Sequence, residues 1–179
     1  MGYLAGLWGG GKAKAARNAA EALLLAVSSA SRDPALYGDG RAPDTFEVRL
    51  EMLMLHGALA MMRLRQDPTD APTAQIFTDL LFKHIEYGLR EAGVGDLTVP
   101  KKMKKLAGAF YGRLQAYEQG LAAPPESTEL EQALIRNILL QSHAGFAPVL
   151  ARHARSRLAT LTQHPTSDLG QADLWAVEV

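Results

Sequence analysis

The sequence has no cysteine, which removes disulfides, thiolate zinc sites and cysteine nucleophiles from the possible chemistry. It fits a reducing compartment. It also has no net charge, since 19 basic residues balance 19 acidic ones. No global field therefore draws nucleic acid or anionic lipid, and any basic surface has to be a local patch. Long apolar runs are missing too. Stretches such as Leu23 to Val27 fall far short of the ~18 residues a membrane span needs. The opening MGYLAG lacks a basic-then-apolar leader and has Gly6 where a myristoylation signal has Ser or Thr. The expectation is a soluble, cytoplasmic protein, with peripheral contact at the inner face of the plasma membrane as the furthest it goes toward lipid.

Catalytic motifs are lacking in the same way. Gly93-Val94-Gly95 opens like a dinucleotide fingerprint, but Thr98 holds the third glycine position and the preceding segment is helical. Gly6, Gly11 and Lys12 have P-loop spacing, but Ala13 replaces the hydroxyl that would hold magnesium. LQSHAG has Leu140 and Ala144 where a nucleophile elbow needs glycines. His84-Ile85-Glu86 resembles a deaminase H-x-E without the thiolates that chemistry requires. The five histidines form no HExxH, and His56 and His84 read as structural residues on or beside apolar faces. No nucleophile stands beside a base and an orienting group. No enzyme, metal or cofactor is expected.

What is present is helical periodicity almost throughout, with hardly any strand-like alternation. The reading is one all-α domain, a bundle of about six helices over 1–179, with its core at about 34–163. A first Ala-rich helix runs from Lys12 to Ser31. A second, Thr45 to Arg65, is apolar most of the way round, with a capping box expected at Asp44 and Glu47. Its Arg49, His56 and Arg63 recur every seventh residue on one narrow stripe. A third helix spans Ala74 to Ala92, closed by Gly93 in the left-handed conformation. Pro100 suits the first turn of a fourth helix, which continues to Gly120 with Met103, Leu106, Phe110, Leu114 and Tyr117 inward. A fifth helix starts at a second expected capping box, Thr128 and Glu131, and runs to Gln141. A sixth holds Pro148 early and ends near Gln163. The tail, 164–179, reads as weakly helical or irregular.

Two features of the fourth helix call for explanation. Lys101, Lys102, Lys104 and Lys105 crowd its N-terminus, where the helix dipole disfavours positive charge. They are either a solvated end or a docking patch for something acidic. Arg152, Arg155 and Arg157 make a second basic group on the sixth helix. Gly108, Gly112 and Ala116 lie four apart on one face, although an interior glycine costs about 1 kcal/mol against alanine. They imply either a close helix crossing inside the bundle or a groove for a partner helix.

The segments VRLEMLMLHGALAMMRLR, GVGDLTVPKKMKKLAGAFYGRLQAYEQGL, LEQALIRNILL and LARHARSRLATL, in this order, resemble the bacterial branch of the ubiquinol–cytochrome c chaperone family, the assembly factors of complex III. LYGDGRAPDTFEVRLEML resembles the stretch before the family's Leu-His signature. The likeness covers about Pro34 to Gln163 and is most specific from Gly93 to Arg113; Pro100 departs from the small or polar residue expected there. It implies an all-α, non-catalytic protein that binds newly made cytochrome b. Mitochondrial members of the family work with a small partner protein near the ribosomal exit, so a small co-chaperone and a ribosome contact are further candidate partners; DNA is not one. Matching motif residues include Gly95, Asp96, the four lysines, Tyr111, Gly112, Arg113, Tyr117, Arg136 and Asn137. Those expected to meet a partner are Asp96, Lys101, Lys102, Lys104, Lys105, Arg113, Tyr117, Arg152 and Arg155, with Gly108, Gly112 and Ala116 assigned to close packing. The competing reading is a helical RNA- or ribosome-binding module that uses the basic 101–105 patch.

Overall fold

The computed structural model describes residues 5–124 and 126–177, with side chains from residue 11 onward. The first four residues of MGYLAG lie outside that range. No described residue belongs to a β-strand; Tyr37 and Ala42 form an isolated bridge. The principal helices are α1 (Ala5–Ala30), α2 (Phe46–Leu64), α3 (Ala71–Glu91), α4 (Val99–Ala122), α5 (Glu129–Leu134) and α6 (Ala147–Thr162). The all-α bundle is as expected. Helix α1 begins earlier than its periodicity indicates, so Gly11 and Lys12 sit inside a helix and not in a phosphate loop.

Helix α2 is the centre. Every residue from Met52 to Leu64 is buried, and α1, α3, α4 and α6 all pack against it. Gly57 makes that crowding possible. A Cβ there would stand 2.9 Å from the Leu81 side chain and 3.6 Å from Phe110, so its absence lets α3 and α4 close on the same turn. The start of α2 differs from the expected box. Thr45 is the cap, its hydroxyl accepting from the Val48 N–H at 3.3 Å. Asp44 is drawn off by Arg49, whose guanidinium donates to both carboxylate oxygens and lies over the Tyr37 ring.

The polar stripe of α2 becomes the seam with α6. The His56 Nδ1–H donates to the Met52 carbonyl at 2.9 Å, and His56 Nε2 lies 3.2 Å from His153 Nε2. That geometry assigns the tautomers. With its proton on Nδ1, His56 accepts at Nε2, and the His153 Nε2–H donates. One turn pair further on, Arg63 donates through Nε to the Leu161 carbonyl at 3.0 Å and through Nη2 to the His164 carbonyl at 2.7 Å. It thereby ties α2 to the chain at and just past the end of α6 and also pairs with Asp70.

Gly93 closes α3 at φ 81°. The Val94 N–H reaches back to the Leu89 carbonyl, the six-to-one bond of a Schellman end. Helix α5 is shorter than expected. It passes into a π-helical turn over Ile135–Leu139, and Leu140 then reverses the chain at φ 54°. Thr128 makes no capping bond at its start; the Ser127 hydroxyl accepts from Glu129 N–H, and the Thr128 hydroxyl from Gln132. The tail takes the weakly helical of the two expected forms, and it packs inward. Two short 3-10 turns, Thr166–Asp168 and Ala172–Trp175, bring Leu169, Leu174 and Trp175 into the core. Trp175 donates its indole N–H to the Leu169 carbonyl at 2.7 Å, and Arg157 donates to the Leu174 carbonyl. Gly170 admits Ala22 of α1 at a distance no Cβ could share.

Burial holds the facing imidazoles neutral. It lowers His56 to about 4; burial, with His56 and Arg157 nearby, lowers His153 to about 3. Their unfolded value is about 6.5, so the unfolded chain takes up the protons first. Stability is therefore complete above pH 6.5 and is lost as pH falls from there toward 4 for His56 and toward 3 for His153, by about 2 kcal/mol per imidazole at pH 5. Denaturant titrations at pH 7 and pH 5 should show this fall. His153→Leu should be less stable at pH 7, because His56 Nε2 loses its donor, yet should lose less between the two pH values.

Candidate partner-binding surface

Helix α4 lies with Phe110, Leu114 and Tyr117 in the core and Met103, Leu106 and Ala116 half-buried against it. At 100° per residue, Lys101, Lys104, Lys105, Gly108, Tyr111, Gly112, Gln115 and Gln119 fall together on the opposite side, and all of them are exposed. This face overturns the close-packing assignment for two of its three members. Gly108 and Gly112 are exposed, and no atom lies within 4 Å of a Cβ built on either. The crossing is made elsewhere. Gly120 admits the backbone of Leu130 at 2.7 Å from its would-be Cβ, and there α4 crosses α5.

The uncovered face is a helix surface stripped of side chains at its centre, with lysines at one end and glutamines at the other. Tyr111, 52% exposed, borders it. Below Tyr111 opens a cleft of about 380 Å³ between the end of α2 and the start of α3, its apolar floor of Met61, Leu64, Pro68, Ala71 and Ala74 rimmed by the polar Arg65, Asp67 and Gln75. Apolar contact area and an accessible backbone thus lie side by side.

The remaining expected partner residues divide. Lys101, Lys102, Lys104 and Lys105 are exposed, and none forms an ion pair with a described residue. Asp96 is exposed but pairs with Arg90, tying the loop to α3. Arg152 is exposed, beside a shallow cleft with Ser127 and Glu131. Three others serve the fold. Tyr117 is fully buried, which raises its phenol well above the ordinary range. Arg155 donates to the Gly120 and Leu121 carbonyls, a cation closing the C-terminus of α4. Arg113 forms a two-pronged pair with Glu51 at 2.5 Å, both side chains mostly buried. Burial raises the Glu51 carboxyl and Arg113 opposes the shift. The two basic groups do not merge, since 15 or more residues of α4 separate the lysines from Arg155's contacts, roughly 25 Å of helix.

The sequence reading passed over Glu51, although an acid on a nearly all-apolar helix signals a buried partner. It also passed over Tyr111 as a contact residue and over Leu97, for which periodicity carries no signal. His84 is structural, near Ser28 and Arg32. Among the described residues no group of three or more His, Asp or Glu could hold a metal ion, and no helix is long and apolar enough to cross a membrane.

Comparison with known proteins places this arrangement. A family model described as ubiquinol-cytochrome C chaperone matches residues 39–176, and the chain belongs to that family. The match extends through the tail that sequence reading left unplaced. The crystal structure of the Cbp3 homolog from Brucella abortus superposes with a TM-score of 0.76 at 34% identity, covering 90% of each chain. Comparison with curated proteins gave no match.

The glycines separate by substitution. Gly108→Ala and Gly112→Ala should each raise unfolding stability by about 0.5–1 kcal/mol, because both are exposed helix interior. Gly120→Ala should lower it by about 1–3 kcal/mol through overpacking. Arg113→Ala should cost about 2–4 kcal/mol by stranding Glu51, and adding Glu51→Gln should restore part of that. Urea midpoints of the five purified variants check these outcomes.

Proposed function

We propose that the chain is a non-catalytic assembly chaperone that holds newly made cytochrome b during biogenesis of ubiquinol–cytochrome c reductase, and that the uncovered face of α4 seats this client. Family membership supports the assembly role. The observation that carries the client surface is the pair Gly108 and Gly112, exposed in mid-helix with nothing within 4 Å. The chain bears the intrinsic cost of two helix glycines without using them for its own packing. A client helix laid across them approaches the α4 backbone closely, as small residues permit between membrane helices. Tyr111 and the cleft beside it, with Met61 in its wall, supply adaptable apolar contact. A client before insertion has apolar faces to cover, and a reversible seat covers them without chemistry.

The test uses Gly112→Leu. The side chain points into open space and leucine favours a helix over glycine, so the melting temperature should equal or slightly exceed that of the parent. Recovery of cytochrome b in a pull-down from membranes of the native host should fall at least tenfold. Undiminished recovery by a folded Gly112→Leu protein would remove α4 as the seat. Absence of cytochrome b from the parent's own pull-down would remove the client.

A further inference from the structure

The loop between α3 and α4 holds an arrangement that the bundle does not use. Leu97 is 99% exposed, yet the chain around it is well fastened. The N–H groups of Thr98 and Val99 both bond to the Gly95 carbonyl, at 2.8 and 3.2 Å. Asp96 is paired with Arg90, and Val99, 1% exposed, is buried in the molecule. Leucine is thus held outward at the tip of a loop tied down on both sides. The four unpaired lysines follow within the first two turns of α4. They are spread over about 160° around the end of the helix.

An exposed aliphatic side chain gains free energy only when something apolar covers it. Lysines that pair with none of the described residues favour an anionic partner. An anionic bilayer offers both in one plane, phosphates at the surface and an apolar boundary just beneath. RNA offers the phosphates but nothing for an aliphatic side chain, because its bases stack on aromatic rings and arginine planes. The loop presents neither in free form, as Arg90 is engaged with Glu86 and Asp96. Lysines distributed around a helix end also suit a helix tip meeting a plane.

We propose that the α3–α4 loop and the first turns of α4 form a membrane-docking tip, in which Leu97 enters the headgroup–acyl boundary of an anionic bilayer and Lys101, Lys102, Lys104 and Lys105 bind lipid phosphates. The docking is peripheral. It rests on the chaperone reading only for its purpose: contact through this tip keeps the α4 face next to the membrane its client enters.

The experiment is co-sedimentation of the purified full chain with phosphatidylcholine vesicles, with and without phosphatidylglycerol, at low and moderate salt. The parent should bind only the phosphatidylglycerol vesicles, and more weakly as salt rises. Each lysine contributes on the order of fivefold near a charged surface, so replacing all four by Glu should abolish binding. Leu97→Ser leaves the charge unchanged and should weaken binding several-fold; at 99% exposure it does not threaten folding, which circular dichroism checks. The proposal is overturned if the parent ignores the phosphatidylglycerol vesicles, if Leu97→Ser binds them as tightly as the parent, or if the chain prefers polyuridylate to them. No cytochrome b is present, so failure here leaves the client reading standing, and loss of the client reading leaves this result standing.

Discussion

A central helix buried on every side from Met52 to Leu64 has to satisfy the polar groups of that run inside the protein. That constraint on α2 organises the rest. His56 and Arg63 lie within its buried run, His56 sealed from water and Arg63 nearly so. His56 is matched by an imidazole on α6, Arg63 by the carbonyls at the end of α6 and by Asp70. The position and termination of α6 follow, and with them the return of the tail, which Arg157 and Trp175 fasten beneath. On the other side Gly57 draws in α3 and α4, and Glu51 takes Arg113 from α4. An unpaired buried charge costs several kcal/mol, so these polar contacts fix helix positions that apolar packing alone would leave less well specified.

Once α4 is pinned by Phe110, Tyr117 and the Glu51–Arg113 pair, its opposite side meets no other described element. Among the described residues, none covers Gly108, Tyr111 or Gly112. The surface proposed for the client is therefore a consequence of how the core is satisfied. Basic residues are divided by the same logic. Arg113, Arg155 and Arg157 have partners within the fold, whereas the four lysines have none among the described residues. A guanidinium suits fixed, multi-donor contacts, and an ammonium on a flexible stem suits a surface.

Much of the fold was legible because it depends on local rules. Periodicity located the helices, Gly93 ended α3 as a left-handed glycine must, and Pro100 and Pro148 sat in first turns. The errors came where tertiary context outbid local pattern. Thr45 capped α2 because Arg49 had claimed Asp44. The tail read as weakly helical or irregular because its buried anchors, Leu169, Leu174 and Trp175, are too sparse a pattern for periodicity. For the site, the exposed lysines were legible as a charge cluster. Arg155 and Tyr117 looked the same in sequence whether they met a partner or the core, and only packing distinguished them. The glycine spacing announced a close backbone approach without saying whose backbone; the crossing within the chain is at Gly120.

The central claim is that the outer face of α4 is left open by the fold and closed by the client. Hydrogen–deuterium exchange of the chain, alone and in complex with cytochrome b, tests it directly. The account predicts new protection in α4 between Lys101 and Gln119 and around Tyr111's cleft, with the α2–α6 seam unchanged. Protection confined to α1 or α6, with α4 exchanging as in the free chain, would contradict it.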